Sequence, residues 1–251
     1  MRHLERRGVP DRARLAGSAV FHLYKRKRPI KAVACLLSIL ICLGCSSLQV
    51  RQMERRVARG DDTWVAAQAI DCDTASHTCS QLHLIKGYAC LRLAESGNKP
   101  AVHYACAADE LAKGIALRPS WEDRGEQFEA HERRCDALDG LQALQTGTSA
   151  AKTLDRLLDA AQTLYQLAPA SVPAIYYLSI ARLRRLAPRL STINAANRYP
   201  VCSRLKRTVN RVLSLMETAR VEALPEWNRF AERYQRLSFD LGAAMHTAEC
   251  R

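Results

Sequence analysis

Apolar residues recur at intervals of three and four along almost all of the chain beyond residue 47. Leu82, Ile85, Tyr88, Ala89 and Leu93 follow this spacing, as do Tyr104, Ala107, Ala108, Leu111 and Ile115. It returns in Leu205, Val209, Val212, Met216 and Ala219, and again in Trp227, Phe230, Tyr234, Leu237, Leu241 and Met245. This period places the apolar side chains on one face of a helix and does not fit the period of two that a half-buried strand requires. Glycine and proline are sparse, 11 and 9 in 251 residues, and 48% of the chain is hydrophobic. The composition favours helix and supplies enough apolar material for a core. The sequence therefore predicts an all-α protein of antiparallel helical hairpins, either an α-solenoid or a helical bundle, closed by a C-terminal antiparallel helix pair.

The breaks in the pattern set the expected organisation. Leu48, Val50, Met53 and Val57 mark a short helix, and Gly60-Asp61-Asp62-Thr63 ends it and caps the next, Trp64 to Ile70. Residues 71–79 read as a polar loop, because Asp, Ser and Thr side chains bond their own backbone. Ser96-Gly97-Asn98-Lys99-Pro100 is a turn between two helices. A third long helix runs from Trp121 to about Leu144 and ends near Gly147; segments 154–169 and 173–183 follow, then a linker from Leu186 to Tyr199. Leu224-Pro225-Glu226 separates the last two helices, whose aromatic stripe reads as core. The resulting division is a leader over 1–44, a tether with a short helix over 45–62, a helical-hairpin domain over 63–187 and a C-terminal hairpin over 200–251.

Within 79–187 the chain resembles the tetratricopeptide-like repeats. Gly114-Ile-Ala-Leu-Arg-Pro119 and Gln162-Thr-Leu-Tyr-Gln-Leu-Ala-Pro169 are similar to the ends of that repeat's second helix. Tyr176-Tyr-Leu-Ser179 is similar to an opening, with serine in the glycine position, and Leu84-Ile-Lys-Gly87 is a partial one. The distance from Gly87 to Pro119 is longer than the strict repeat allows. The resemblance implies stacked hairpins with a surface for peptides or partner helices.

Arg26, Lys27, Arg28 and Lys31 precede an apolar run of 12 residues, 32–43, that includes Ala32, Leu36, Leu37, Ile39, Leu40, Ile41 and Leu43. A bilayer-spanning helix needs about 20 apolar residues, whereas the hydrophobic part of an export signal needs about 7–15. Gly44-Cys45-Ser46 follows at once. This end resembles the lipobox of bacterial lipoproteins, although Cys42 stands where that pattern usually has leucine. The resemblance implies lipid on Cys45, membrane lipid as the partner there, and a place in the bacterial cell envelope, at the outer membrane facing the periplasm. An uncleaved anchor and a buried helix with an incidental cysteine are the other readings of the run. Residues 1–19 add nothing that a signal requires, and a start at Val20 would give a leader of ordinary length.

Ten cysteines are many for a cytosolic chain. With Cys35 and Cys42 in the leader and Cys45 lipidated, seven remain. Cys90 and Cys106 lie eight residues to either side of Asn98, and Cys202 and Cys250 are symmetric about residue 226. Antiparallel helices rise equally per residue, so each pair should end up facing, and both are predicted disulfides. Cys72 and Cys79 bracket the polar loop and form a third predicted pair, which leaves Cys135 as a free thiol.

The formal net charge is +13, but residues 1–44 carry ten Lys/Arg against two Asp/Glu, and residues 45–251 carry 28 against 23. The remaining basic residues read as scattered among acidic ones, which argues against nucleic acid as a partner. The pairs Cys79/His83, His131/Cys135 and His103/Cys106 have helical ligand spacing, yet Cys-x-x-Cys is absent, and no metal or other cofactor is expected. No nucleophile elbow, phosphate loop, His-Glu-x-x-His or dinucleotide fingerprint occurs. His131-Glu132 reads as part of a solvated face, and Glu122, Asp123, Glu126 and Glu129 as an acidic helix start. The expectation is a non-catalytic lipoprotein that binds other envelope proteins or peptides. The alternative is a thiol- or metal-dependent envelope protein.

Overall fold

A computed structural model describes residues 47–190 and 192–250. Residues 47–58 are helical (α1), followed by α2 Asp62–Ala66, α3 His77–Glu95, α4 Pro100–Leu117, α5 Arg124–Ala143, α6 Gly147–Leu167, α7 Val172–Leu190, α8 Ala195–Val221 and α9 Trp227–Thr247. No strand occurs among the described residues, so the fold is all-α. From α2 to α7 each helix packs on the next, α3 also packs on α5 and α5 on α7, and α7 packs on both α8 and α9. Alternate helices α3, α5, α7 and α9 thus form one layer of the stacked hairpins.

Local sequence starts and stops these helices. Ser76 accepts a hydrogen bond at its Oγ from the Cys79 N–H at 3.1 Å, which begins α3 earlier than the loop reading placed it. Asp123 accepts from the Gly125 N–H at 2.7 Å and begins α5 at Arg124 instead of Trp121. Asn194 and Asn197 form a reciprocal capping box at the start of α8. The turn after α3 takes Gly97 at φ 82° and Lys99 at φ 41°, and Pro100 then opens α4 where its missing N–H costs nothing.

Three segments differ from the sequence expectation. Helix α2 stops at Ala66 and does not reach Ile70. Gly147 opens α6 instead of merely ending α5. The linker expected over Leu186–Tyr199 shrinks, because α7 continues through Pro188 and α8 runs through Pro200. A proline near a helix end forfeits one hydrogen bond, and the apolar faces on either side of both prolines, Leu183 and Leu205, are buried. The short segment 47–58, expected as part of a tether, lies packed, with Val50 and Met53 buried against Val65, Leu82 and Ala89.

Hairpin α3–α4 is held by a reciprocal close approach. A Cβ on Gly87 would lie 2.7 Å from Leu111 Cγ, and one on Gly114 would lie 2.8 Å from Leu84 Cγ. The Ser80 hydroxyl donates to the Gly114 carbonyl at 2.7 Å in the same contact. Where α7 meets α9, Tyr176, Tyr177, Phe230 and Tyr234 pack edge-to-face with ring centroids 5.2–5.7 Å apart. The aromatic stripe on α9 is therefore core.

Candidate functional site

The layer of α5, α7 and α9 carries matched charges on its facing sides. On α5, Glu132, Asp136 and Asp139 are spaced four and three apart, on one face. On α9, Arg229 and Arg233 are four apart. Arg229 pairs with Glu132, Arg233 donates to Asp136 at 3.0 Å, and Arg184 of α7 donates to Asp139 at 2.5 Å. The Tyr177 hydroxyl donates to Asp136 and accepts from Arg233 at 3.0 Å. Burial, then the neighbouring carboxylate, pushes the Tyr177 phenol well above its ordinary pKa, so it stays a donor.

The Arg233–Asp136 and Arg184–Asp139 pairs form part of the wall of a groove of about 660 Å³ that runs along α5, α7 and α9. Tyr104 and Tyr176 give it apolar faces, while Glu95, Arg236 and Asp240 add charge at its sides. Burial and the nearby Asp136 raise the Glu95 pKa, and burial together with Glu95 raises that of Tyr104. Gly140 leaves room for the Tyr104 ring, since a Cβ there would come within 2.5 Å of it. A surface of aromatic faces interleaved with both signs of charge suits a polypeptide ligand better than a small apolar molecule. Asp136 and Asp139 of this groove are readable as acidic residues at helical spacing, whereas His131-Glu132, one turn earlier on α5, reads from sequence as a solvated face. His131 and Glu132 are both buried. The ring of His131 is held at a pKa of about 4 by burial and by Arg134.

The structure forms the disulfides Cys72–Cys79, Cys90–Cys106 and Cys202–Cys250, with Cα atoms 5.5, 6.0 and 5.3 Å apart. Cys135 is free and fully buried, and burial pushes its thiol pKa far up. A buried thiol of that kind is a poor nucleophile and metal ligand. Two of the helical Cys/His pairs lose ligands to other bonds: Cys79 and Cys106 are in disulfides, and His83 bonds Glu110 at 2.5 Å and the Cys72 carbonyl at 3.1 Å. Burial alone would raise the Glu110 pKa, but hydrogen bonds from His83 and Lys86 bring it below the usual value. Among the described residues no three His, Cys, Asp or Glu side chains converge as metal ligands.

One reading of charge needs correction. The basic residues are not evenly scattered: from Arg182 to Met216 the sequence holds nine basic residues and no acidic one. The structure brings six of these arginines together across a second groove, between α7 and α8. The signal was a stretch lacking acids, and counting charges over whole segments averaged it away.

Cys45, Gly44 and the apolar run 32–43 lie outside the described residues. Among those described, no helix is long and apolar enough to cross a membrane. No protein-family model, curated protein or solved structure matches this chain.

Proposed function

We propose that the chain is a lipoprotein of the bacterial cell envelope, tethered by lipid on Cys45 and acting as a non-catalytic adaptor that binds proteins or peptides at the outer membrane, on its periplasmic side. The observation that carries the binding role is the groove along α5, α7 and α9, with its aromatic faces and fixed charge pairs. Stacked helical hairpins commonly present such a surface to extended or helical partners. Three disulfides support residence in an oxidising compartment, and the lipobox-like end of the apolar run supports the tether. The thiol- or metal-dependent alternative loses ground to the burial of Cys135.

Two measurements test this reading. Cells fed an alkyne fatty acid should label the wild-type chain and leave Cys45→Ser unlabelled; equal labelling removes the tether. A photo-crosslinking residue at Asp240, in the groove, should give discrete protein adducts in native membranes, and the same residue at Lys113 of α4 should not. Absence of adducts from groove positions removes the adaptor.

A further inference from the structure

The groove between α7 and α8 has a chemistry of its own. Arg182, Arg185 and Arg189 follow one another on α7 at spacings of three and four, and Arg204, Arg207 and Arg211 do the same on α8. These two faces look at each other across a cavity of about 400 Å³. Leu183, Leu186 and Leu205, with Leu241 of α9, supply apolar lining. No acidic side chain lines the groove. Among the described residues, only Arg185 of these six has a carboxylate partner, Asp155 at 3.4 Å, with both side chains exposed. Arg211 instead lies over the Tyr165 ring at 5.1 Å.

Like charges gathered this way repel and cost stability. Burial and the charges of Arg211 and Arg207 lower the Arg182 pKa, which is the same crowding seen from one member. A cleft lined by one sign of charge concentrates its counter-ion. Guanidinium groups match phosphate oxygens in a bidentate fork. An inorganic anion would use the arginines and leave the leucines without a role. Nucleic acid would want exposed aromatic faces for its bases, and no aromatic residue lines the groove. We infer that the α7–α8 groove binds a phosphorylated amphiphile, an anionic membrane lipid, with its phosphate between the two arginine faces and the first part of its chain on Leu183, Leu186, Leu205 and Leu241. The cavity has the size of ordinary small-molecule sites, about 300–1,000 Å³. This inference stands whether or not Cys45 carries lipid.

The test uses the full chain in phosphatidylcholine vesicles that contain a trace of photoactivatable phosphatidylglycerol or, in parallel, of photoactivatable phosphatidylcholine. Cross-linked peptides are mapped by mass spectrometry. The anionic probe should label peptides of α7 and α8 at least about tenfold more than the zwitterionic probe, the value of one charge-assisted hydrogen bond. The variant R189Q/R204Q/R207Q should fall to the zwitterionic level, and its far-ultraviolet circular dichroism should match the wild type because these side chains are exposed. If the triple variant fails to fold, R204Q alone should lower labelling by several-fold. Equal labelling by both probes, or labelling that survives the substitutions, overturns the inference. Loss of labelling on adding excess inorganic phosphate assigns the site to the free anion and overturns it, as does stronger protection of the same peptides by a single-stranded oligonucleotide or an acidic peptide.

Discussion

Arg233 of α9 donates to Asp136 of α5 at 3.0 Å, joining residues 97 apart in the chain. Tyr177 of α7 completes the triangle, so one carboxylate ties three helices. Asp136 is buried, whereas the Arg233 side chain is 40% exposed. The two ends should therefore respond unequally to removal. Asp136→Ala strands a buried phenol and a guanidinium and should cost roughly 3 kcal/mol. Arg233→Met should cost roughly 1–2 kcal/mol, because water can reach the arginine's position and methionine keeps the contact with Phe230 and Tyr176. Urea unfolding of both single variants and of the double measures the coupling. Additive losses would show that the pair does not act as a unit.

The helices were legible because their apolar spacing is strong, and the hairpin disulfides because equal rise on antiparallel helices brings symmetric positions together. Helix ends were less so. Pro188 and Pro200 read as breakers, yet burial of the helix faces beside them outweighs one lost hydrogen bond each. The buried charges between α5 and α9 were the least legible. Glu132 and His131 look like surface residues in a charged helix, and only the arrival of Arg229 from α9 makes a buried Glu132 tolerable. Such pairings depend on which distant helix packs where, and local periodicity carries no information about that. The arginine cluster was visible as a run without acids, but its meaning required α7 and α8 to face each other.

The disulfides should contribute in the order of the loops they close. Sequence separations are 7, 16 and 48 for Cys72–Cys79, Cys90–Cys106 and Cys202–Cys250. Loop entropy gives about 2.4, 3 and 4 kcal/mol for their loss. Paired Cys→Ala variants followed by denaturant unfolding give the ranking, and a larger loss for 72–79 than for 202–250 would contradict it. The same protein, trapped with iodoacetamide before and after denaturation, should show Cys135 modified only after denaturation.

Close packing of α3 on α4 depends on Gly87 and Gly114 accepting the other helix's leucine. Alanine at Gly114 places a methyl 2.8 Å from Leu84 side-chain atoms and 3.0 Å from its backbone nitrogen. The leucine can turn, but the backbone cannot retreat while Cys90–Cys106 holds the hairpin closed. Gly114→Ala should therefore lose about 1–3 kcal/mol, even though alanine is the better helix former. A second change, Leu84→Ala in the Gly114→Ala background, should cost less than Leu84→Ala alone, because the new methyl occupies part of the space vacated. Thermal unfolding of the four proteins is sufficient.

His131 should make the fold sensitive to mild acid. Its ring is buried and its Nδ1 has no hydrogen-bond partner, so the folded state holds it neutral. Burial, with Arg134 behind it, brings its pKa down to about 4, against about 6.5 in an unfolded chain. Between these values the unfolded state binds more protons than the folded one. Stability is then complete above about pH 6.5 and is lost as the pH falls toward 4, by on the order of 2–3 kcal/mol from this group. Carboxylates contribute their own loss at the lower end of that range, so the informative quantity is a difference. His131→Phe keeps a planar ring of similar size and removes the proton, and its stability should fall less than that of the wild type between pH 6.5 and 4. Denaturant midpoints measured at several pH values through that interval should diverge steadily as the pH drops. Parallel curves would mean that water reaches His131 before the fold opens, and that the ring is charged without penalty.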